Sequence, residues 1–471
     1  MSDGLASKNL VRHRRKASVC VPVMNRMLEL FLVFVFCLHA TTAFAWTKSG
    51  TTYTTNGSQS DVASAVSAAS TGDTVSIPSG TFTWSTGINI SKRINIIGAT
   101  SGCPSSCNDA TKIIIGAITA FTPTASGFRI SGITFEGISN SGGVISINAG
   151  GTNKATNWRI DHNHFKDVTG RAISVGAYAS GSGYGADWPA LIDSNRFSAT
   201  ARFKAIEAYG GSLTTHGSWD DTLTLGGSDF LFIENNYFVH STMAEGVSSI
   251  DGDTGARYVI RYNNFTNGDI SAHGVEVSID PIIKWRSTHG WEIYENYFNS
   301  TVSHAFQLNI RGGTGVIYKN RFNGTATLFK PIRYLYERGD LYSAAGDRGC
   351  TISGSCDGSS SYDGNQSGKY GYGCYQQIGA TGSAGTTSMP VYQWGNSYNG
   401  AADEDLLSEI TFSGDCPYQH VQFGRDVIKN GLTPKPGYTA YTYPHPLTTA
   451  ASPLPSTGGK IPMFPPINPI Q

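Results

Sequence analysis

Apolar positions in this chain recur in a short fixed pattern, not at helical spacing. One hexapeptide (isoleucine, two variable residues, asparagine, one variable residue, phenylalanine) occurs six times. The copies are residues 160–165, 192–197, 233–238, 260–265, 293–298 and 317–322. Residues 130–135 form a partial copy with Ile133 in the asparagine position. The asparagines are Asn163, Asn195, Asn236, Asn263, Asn296 and Asn320, at intervals of 32, 41, 27, 33 and 24. A constant motif at unequal intervals predicts one structural unit with connections of variable length. The shortest interval suits one turn of a parallel β-helix, three short strands joined by bends. On this reading the chain is all-β, a right-handed parallel β-helix (single-stranded solenoid). About ten coils at a strand spacing of about 4.8 Å make a rod of roughly 45–50 Å. The asparagines then take left-handed bends and bond along the stack, while the phenylalanines form an inner aromatic column. A β-propeller would need a regular period and antiparallel blades. A leucine-rich solenoid would need leucine at fixed spacing, which this chain lacks.

The first coil of such a helix has an open edge that must be covered. Asp61 is placed to cap a short helix with Val62, Ala65, Val66 and Ala69 on one face, ended by Gly72. Residues 73–82 then alternate as a first strand and bend. A capping helix followed by Gly72-Asp73-Thr74-Val75 and Ser79-Gly80-Thr81-Phe82 resembles the start of pectate lyase- and chondroitinase-like β-helix proteins. With the Asn/Phe repeat, the resemblance covers residues 55–335. It implies the scaffold and a polysaccharide as substrate or ligand; a scaffold by itself does not fix chemistry.

The amino terminus reads as a signal peptide, residues 1–45. Arg12, Arg14, Arg15, Lys16 and Arg26 precede an apolar run at 28–38, and Ala43-Phe44-Ala45 is a small-x-small cleavage pattern. The run is too short to span a bilayer, so the expectation is export with cleavage near Ala45 and no membrane span. The β-helix domain is expected at 46–335, an irregular C-terminal cap at 336–450 and a Pro-rich disordered tail at 451–471.

Charge narrows the partners. Of 34 basic and 34 acidic residues, six and two respectively lie in 1–45, so the remainder is mildly acidic. Such a balance attracts neither nucleic acid nor an anionic membrane surface. The expected partner is a polysaccharide, and the expected state a monomer. Six cysteines follow residue 45: Cys103, Cys107, Cys350, Cys356, Cys374 and Cys416. An even number in an exported chain favours disulfides. Sequence neighbours suggest Cys103 with Cys107 and Cys350 with Cys356, leaving Cys374 for Cys416.

Candidate chemistry comes from register. Counted back from Asn263 and Asn296, Asp251 stacks on Lys284 and Asp253 on Arg286, provided no insertion intervenes. Ile250, Gly252, Ile283 and Trp285 then face inward. In the next coil Leu308 and Ile310 occupy those offsets, while Gln307, Asn309 and Arg311 face out. His273, Glu276 and Asp280 lie just before Lys284. A polysaccharide lyase uses this mixture. Asp251, Asp253 and Glu276 are candidates to bind substrate or Ca²⁺, and Lys284, Arg286 and His273 are candidate catalytic groups for removing the C5 proton of a uronate. Three other readings compete. One is a solvated ion ladder worth about 0.2–1 kcal/mol per pair. Another is a carbohydrate-binding surface protein. The third is an inverting polygalacturonase-like hydrolase, which Asp251-Gly252-Asp253, His273-Gly274 and Ile283-Lys284 loosely resemble. There the aspartate pair is split by glycine, and Ala272 stands where glycine is expected.

Trp188, Trp219, Tyr209 and Tyr237 are expected either to stack on sugar rings or to line bends. His162, His164, His240, His289 and His304 lack metal-ligand spacing and read as bend or loop residues. No nucleophile elbow or catalytic triad is legible along the chain.

Overall fold

The structure, a computed structural model, describes residues 45–139, 142–147, 154–176, 188–201, 203–210, 217–219, 221–242, 247–274, 276–277, 283–285, 287–303, 306–324, 330–336, 378–382, 387–412 and 421–449. The expected signal-peptide segment through residue 44, the Pro-rich tail, Asp280, Arg286, His304, Cys350, Cys356, Cys374 and Cys416 lie outside the described residues. So do the side chains of Glu276 and Lys284.

The chain winds through three sheets of 13, 10 and 10 strands, visiting them in turn. One coil consists of Arg159–Asp161, His164–Thr169 and Arg171–Val175; the next is Ala190–Asp193, Arg196–Ala201 and Lys204–Tyr209. Each strand pairs in parallel with its counterpart one coil away. This is the expected parallel β-helix, and a right-handed crossover is the rule for such connections. The coil continues past the expected boundary at 335. Val391–Trp394, Ser397–Tyr398 and Ser408–Phe412 make a tenth turn, and Val427–Lys429 adds a last strand to the first sheet.

The starting edge is covered twice. Helix α1, Gln59–Ala68, packs Val62, Ala65 and Val66 into the core. A hairpin of Thr47–Ser49 and Thr52–Thr54 extends the first sheet ahead of Thr74–Ser76. Asp61 is not the cap: Ser58 holds that position, and the Asp61 carboxylate reaches back to accept from the Asn56 amide at 2.8 Å. Ala69, not Gly72, ends the helix.

The hexapeptide is accounted for atom by atom. Its isoleucines, such as Ile160, Ile192 and Ile233, fill the interior beneath the first sheet. Its phenylalanines stack along the second, with centroids 4.9 Å apart for Phe165–Phe197, 4.8 Å for Phe197–Phe238 and 4.5 Å for Phe238–Phe265. Its asparagines make a continuous amide ladder. Asn195 Nδ2 donates to the Ile160 carbonyl at 2.8 Å and to Asn236 Oδ1 at 3.1 Å, and Asn236 repeats this toward Asn263. The left-handed residue is the one before each asparagine: His162, Ser194, Asn235, Tyr262, Glu295 and Lys319 have φ between +51° and +57°. The ladder turns each asparagine side chain inward beneath the bend, so its neighbour takes the strained conformation. Asn396 adds a seventh rung, accepting from Asn320 at 3.0 and 3.1 Å. The sequence pattern missed it because Gln393 and Tyr398 replace isoleucine and phenylalanine.

Residues 430–449 do not cap the last coils. They run back across the outward face of the first sheet. Asn430 N donates to Gln393 O at 2.9 Å in the tenth coil, and Arg159 reaches Thr448 O at 3.4 Å in the fourth. Between these ends Arg261 donates to the carbonyls of Tyr441 and Thr442 at 2.7 and 2.8 Å. A second apolar cluster, including Phe232, Val259, Tyr318 and Trp394, lies beneath this segment.

Candidate active site

The third sheet carries the predicted cluster. Ile206, Ile250, Ile270 and Leu308 point into the core and stand in register on successive coils. Side chains of opposite phase therefore face outward. One outward row is Ser174, Glu207, Asp251, Ser271 and Asn309. The adjacent row begins with Tyr209 opposite Asp253. Pairing continues through His273, whose amide donates to Gly252 O at 2.8 Å, and Arg311, whose amide donates to Ala272 O at 2.8 Å. Leu308 and Ile310 face in and Asn309 is in the outward row, as expected.

The expected stacking of Asp251 on Lys284 does not occur, and the expected pair Asp253–Arg286 involves a residue outside those described. The rung neighbours of Asp251 are Glu207 and Ser271. Lys284 belongs to an antiparallel hairpin, Glu276–Val277 with Ile283–Trp285, that leaves the coil after the seventh turn. Counting back from Asn296 ran into this insertion. Asp251, Asp253 and His273 are brought to one face; Glu276 and Lys284 sit on the hairpin that follows His273.

Gly252 explains the split aspartate pair. A Cβ there would lie 2.1 Å from the Tyr258 ring, which fills the interior beneath it and donates to Ser271 O at 3.0 Å. Asp251 and Asp253 flank that inward position and face out, largely shielded from water.

The charges nearest Asp251 come from residues outside the predicted cluster. Lys204 Nζ lies 2.5 Å from Glu207 and 3.5 Å from Asp251, and Arg171 pairs with the other Glu207 oxygen. Burial works to lower the Lys204 pKa, but Asp251 and Glu207 outweigh it and hold it above its ordinary value. Burial, reinforced by Glu207, pushes the Tyr209 phenol up, so it keeps its proton. Asp251 Oδ1 is buried with no hydrogen-bond partner among the described residues. His273 Nδ1 donates to Gly274 O at 3.2 Å, which places the acceptor lone pair on Nε2.

Of the three nominated Ca²⁺ donors, Asp251 and Asp253 lie on this face and the Glu276 side chain lies outside the described residues. Glu207 and Asp251 share Lys204 as a counter-charge, and Arg171 adds a second at Glu207. Among the described residues, no three His, Cys, Asp or Glu side chains converge as metal ligands. Trp188, Trp219 and Tyr209 are buried and so cannot stack on a sugar; Trp219 packs on His289 at 4.1 Å. A shallow cavity lined by Ala63, Val66, Gly87 and Lys92 lies at the seam between α1 and the first coil. Lys92 is already committed there to the Ser67 and Ala69 carbonyls, so that cavity is a packing seam remote from the charged rows.

The sequence matches no protein-family model and no curated protein. Solved structures are similar to it in fold, among them the following. An alginate lyase from Paenibacillus sp. str. FPU-7 is 13% identical, covering 57% of this chain and 94% of that one, with a TM-score of 0.36. The alginate lyase AlyF-OU02, in complex with G6, is 13% identical over 84% and 92%, with a TM-score of 0.37. The catalytic domain of a GH87 alpha-1,3-glucanase in complex with nigerose is 11% identical over 76% and 66%, at 0.30. Likenesses this distant carry no argument about chemistry.

Proposed function

We propose that the outward face of the third sheet binds an acidic, uronate-containing polysaccharide and cleaves it by β-elimination. One observation carries this reading: Tyr209, Asp253, His273 and Arg311 succeed one another along a single outward row over four adjacent coils, with Tyr209 and Asp253 buried as its support and the partly exposed His273 and Arg311 left to meet a ligand. A glycan lying along the axis would meet one coil about every 4.8 Å. The connections that follow Val175, Tyr209 and Ala272 are long, and all three leave from the end of a third-sheet strand.

The chemistry follows from the groups in the row. Arg311 pairs with the uronate carboxylate through its planar fork and offsets the charge that otherwise makes the C5 hydrogen unreactive. His273 Nε2 takes the C5 proton. The C–H electron pair forms the C4–C5 double bond as the C4–O4 bond breaks, and the imidazolium returns the proton to O4. The Lys204–Glu207–Asp251 network holds the neighbouring row fixed. Export to the cell exterior, where such polymers occur, is part of the proposal and rests on residues 1–45.

The test is a screen of polygalacturonate, alginate and glycosaminoglycans, following ultraviolet absorbance of unsaturated uronates alongside new reducing ends. Absorbance growing in step with reducing ends supports the proposal. Reducing ends without absorbance would replace it with hydrolysis, and the Asp251/Asp253 pair would then be the first candidates. No product with retained glycan binding would make the face a binding surface.

A further inference from the structure

The outward face of the second sheet holds an arrangement that the chemistry above does not use. Asp109, His164 and Ser198 come from the second, fourth and fifth coils, far apart in sequence. In the fold, His164 Nδ1 is 2.6 Å from Asp109 Oδ1 and His164 Nε2 is 2.7 Å from Ser198 Oγ. A carboxylate only accepts, so Nδ1 carries the hydrogen, Nε2 is the acceptor, and the Ser198 hydroxyl donates to it. This is the donor order of a serine nucleophile, its general base and an orienting carboxylate.

The surroundings are built to hold that order. Asp109 sits at φ +51° at the end of a loop stapled by the Cys103–Cys107 disulfide. Arg196 ties the loop down by donating to Pro104 O and Ser105 O at 3.2 and 3.1 Å. Thr134 Oγ1 donates to Asp109 Oδ1 at 3.0 Å, and Lys166 Nζ stands 3.7 Å from Oδ2. Burial alone would raise the Asp109 pKa, but the His164 bond, Thr134 and Lys166 hold it below its ordinary value. Burial keeps the His164 pKa low, so the imidazole is neutral at neutral pH. Lys166 is the rung partner of Ser198, and Arg196 lies two residues before it on the same face. Both cations therefore stand on the outward face that carries Ser198. On the other side Ser198 pairs with Val239, a small aliphatic neighbour for an acyl chain. Ser198 itself is half-buried and reachable from solvent.

We propose that Ser198, His164 and Asp109 form a second active site, which hydrolyses carboxylic esters of small acyl groups such as O-acetyl. Ser198 Oγ bonds to the ester carbonyl carbon while its proton passes to His164 Nε2. Collapse of the tetrahedral adduct breaks the carbonyl–alkoxy bond, and the alkoxide leaves with that proton. Water, deprotonated by His164, then cleaves the acyl-serine to release the carboxylic acid and restore the serine. Ester and water become acid and alcohol, with no other reactant. Asp109 acts as a positioning residue.

The full chain is tested with 4-nitrophenyl acetate and, separately, with a fluorophosphonate whose attachment is located by peptide mass spectrometry. Labelling of Ser198 is expected. Ser198→Ala should abolish the label and lower ester turnover about 10²–10⁴-fold with unchanged thermal melting. Asp109→Asn should lower turnover and move the acid limb of the pH–rate profile, and reduction of Cys103–Cys107 should act in the same direction. Uronate cleavage should be untouched by Ser198→Ala, which separates this site from the third-sheet reading. Folded protein that is not labelled at Ser198, or turnover that survives Ser198→Ala, overturns the proposal.

Discussion

The first and third sheets share one coil, one period and one kind of outward charge ladder, yet the charges are held in different ways. On the first sheet Arg261 and Glu234 are paired at 2.7 Å and sealed from water. Their remaining bonds are also made inside the protein: Arg261 donates to two carbonyls of the returning segment and to the Tyr294 hydroxyl, and Glu234 accepts from the His445 amide at 3.0 Å. On the third sheet Glu207 and Asp251 share a cation, and one Asp251 oxygen has no partner among the described residues. Like ladders are thus held in two ways: on the first sheet by a later part of the chain lying over them, and on the third, among the described residues, by Lys204 and Arg171 beside the buried carboxylates.

The comparison can be broken most forcefully on the first sheet. Arg261→Ala leaves Glu234 buried without its cation and should cost about 3–5 kcal/mol in denaturant unfolding; a cost below about 1 kcal/mol, the range of an exposed pair, would mean that it is not sealed. On the third sheet, His273→Ala should lower β-elimination about 10²–10⁴-fold while leaving melting unchanged. A large loss of stability instead would make that face structural as well.

A pH titration of stability sharpens the contrast further. Burial, with help from the Arg257 charge, brings the His289 pKa down to about 3. The folded protein therefore binds fewer protons than the unfolded chain between that value and about 6.5. This contribution is complete above about pH 6.5 and is lost as pH falls toward 3, by up to about 1.4 kcal/mol per unit. His289→Phe should flatten that slope; an unaltered slope would show that His289 is not the group responsible. The smallest of these effects concerns the shared interior. Asn236→Ala removes one ladder rung and orphans the Asn195 amide and the Ile192 and Glu234 carbonyls, at about 1–3 kcal/mol. An equal cost for Asn396→Ala would show that the seventh rung bears as much as the middle ones.

What could be read beforehand divides along the same line. The Ile/Asn/Phe hexapeptide specified the coil because its three residues contact their own copies one turn away, so the repeat carries its own packing. The outward rows have no such self-reference. Asp251 and Lys284 were paired by counting across a connection whose hairpin was invisible to the count. Glu207, the true neighbour of Asp251, lay across another long connection and was missed. Asp109, His164 and Ser198 show the limit most clearly, since three different coils and a disulfide-held loop supply one residue each. The cover over the first sheet was equally hidden. Tyr438, Tyr441 and Tyr443 in a proline-bearing stretch do not reveal which face they will lie on.

The returning segment changes how the whole solenoid should come apart. A stack of coils is ordinarily a one-dimensional array in which each turn touches only its neighbours and the ends can fray alone. Here Asn430 is fastened at the tenth coil and Thr448 at the fourth, so everything between is cinched by a single tether. Melting should then be cooperative across those turns, and cutting the tether near Pro436 should split one transition into several.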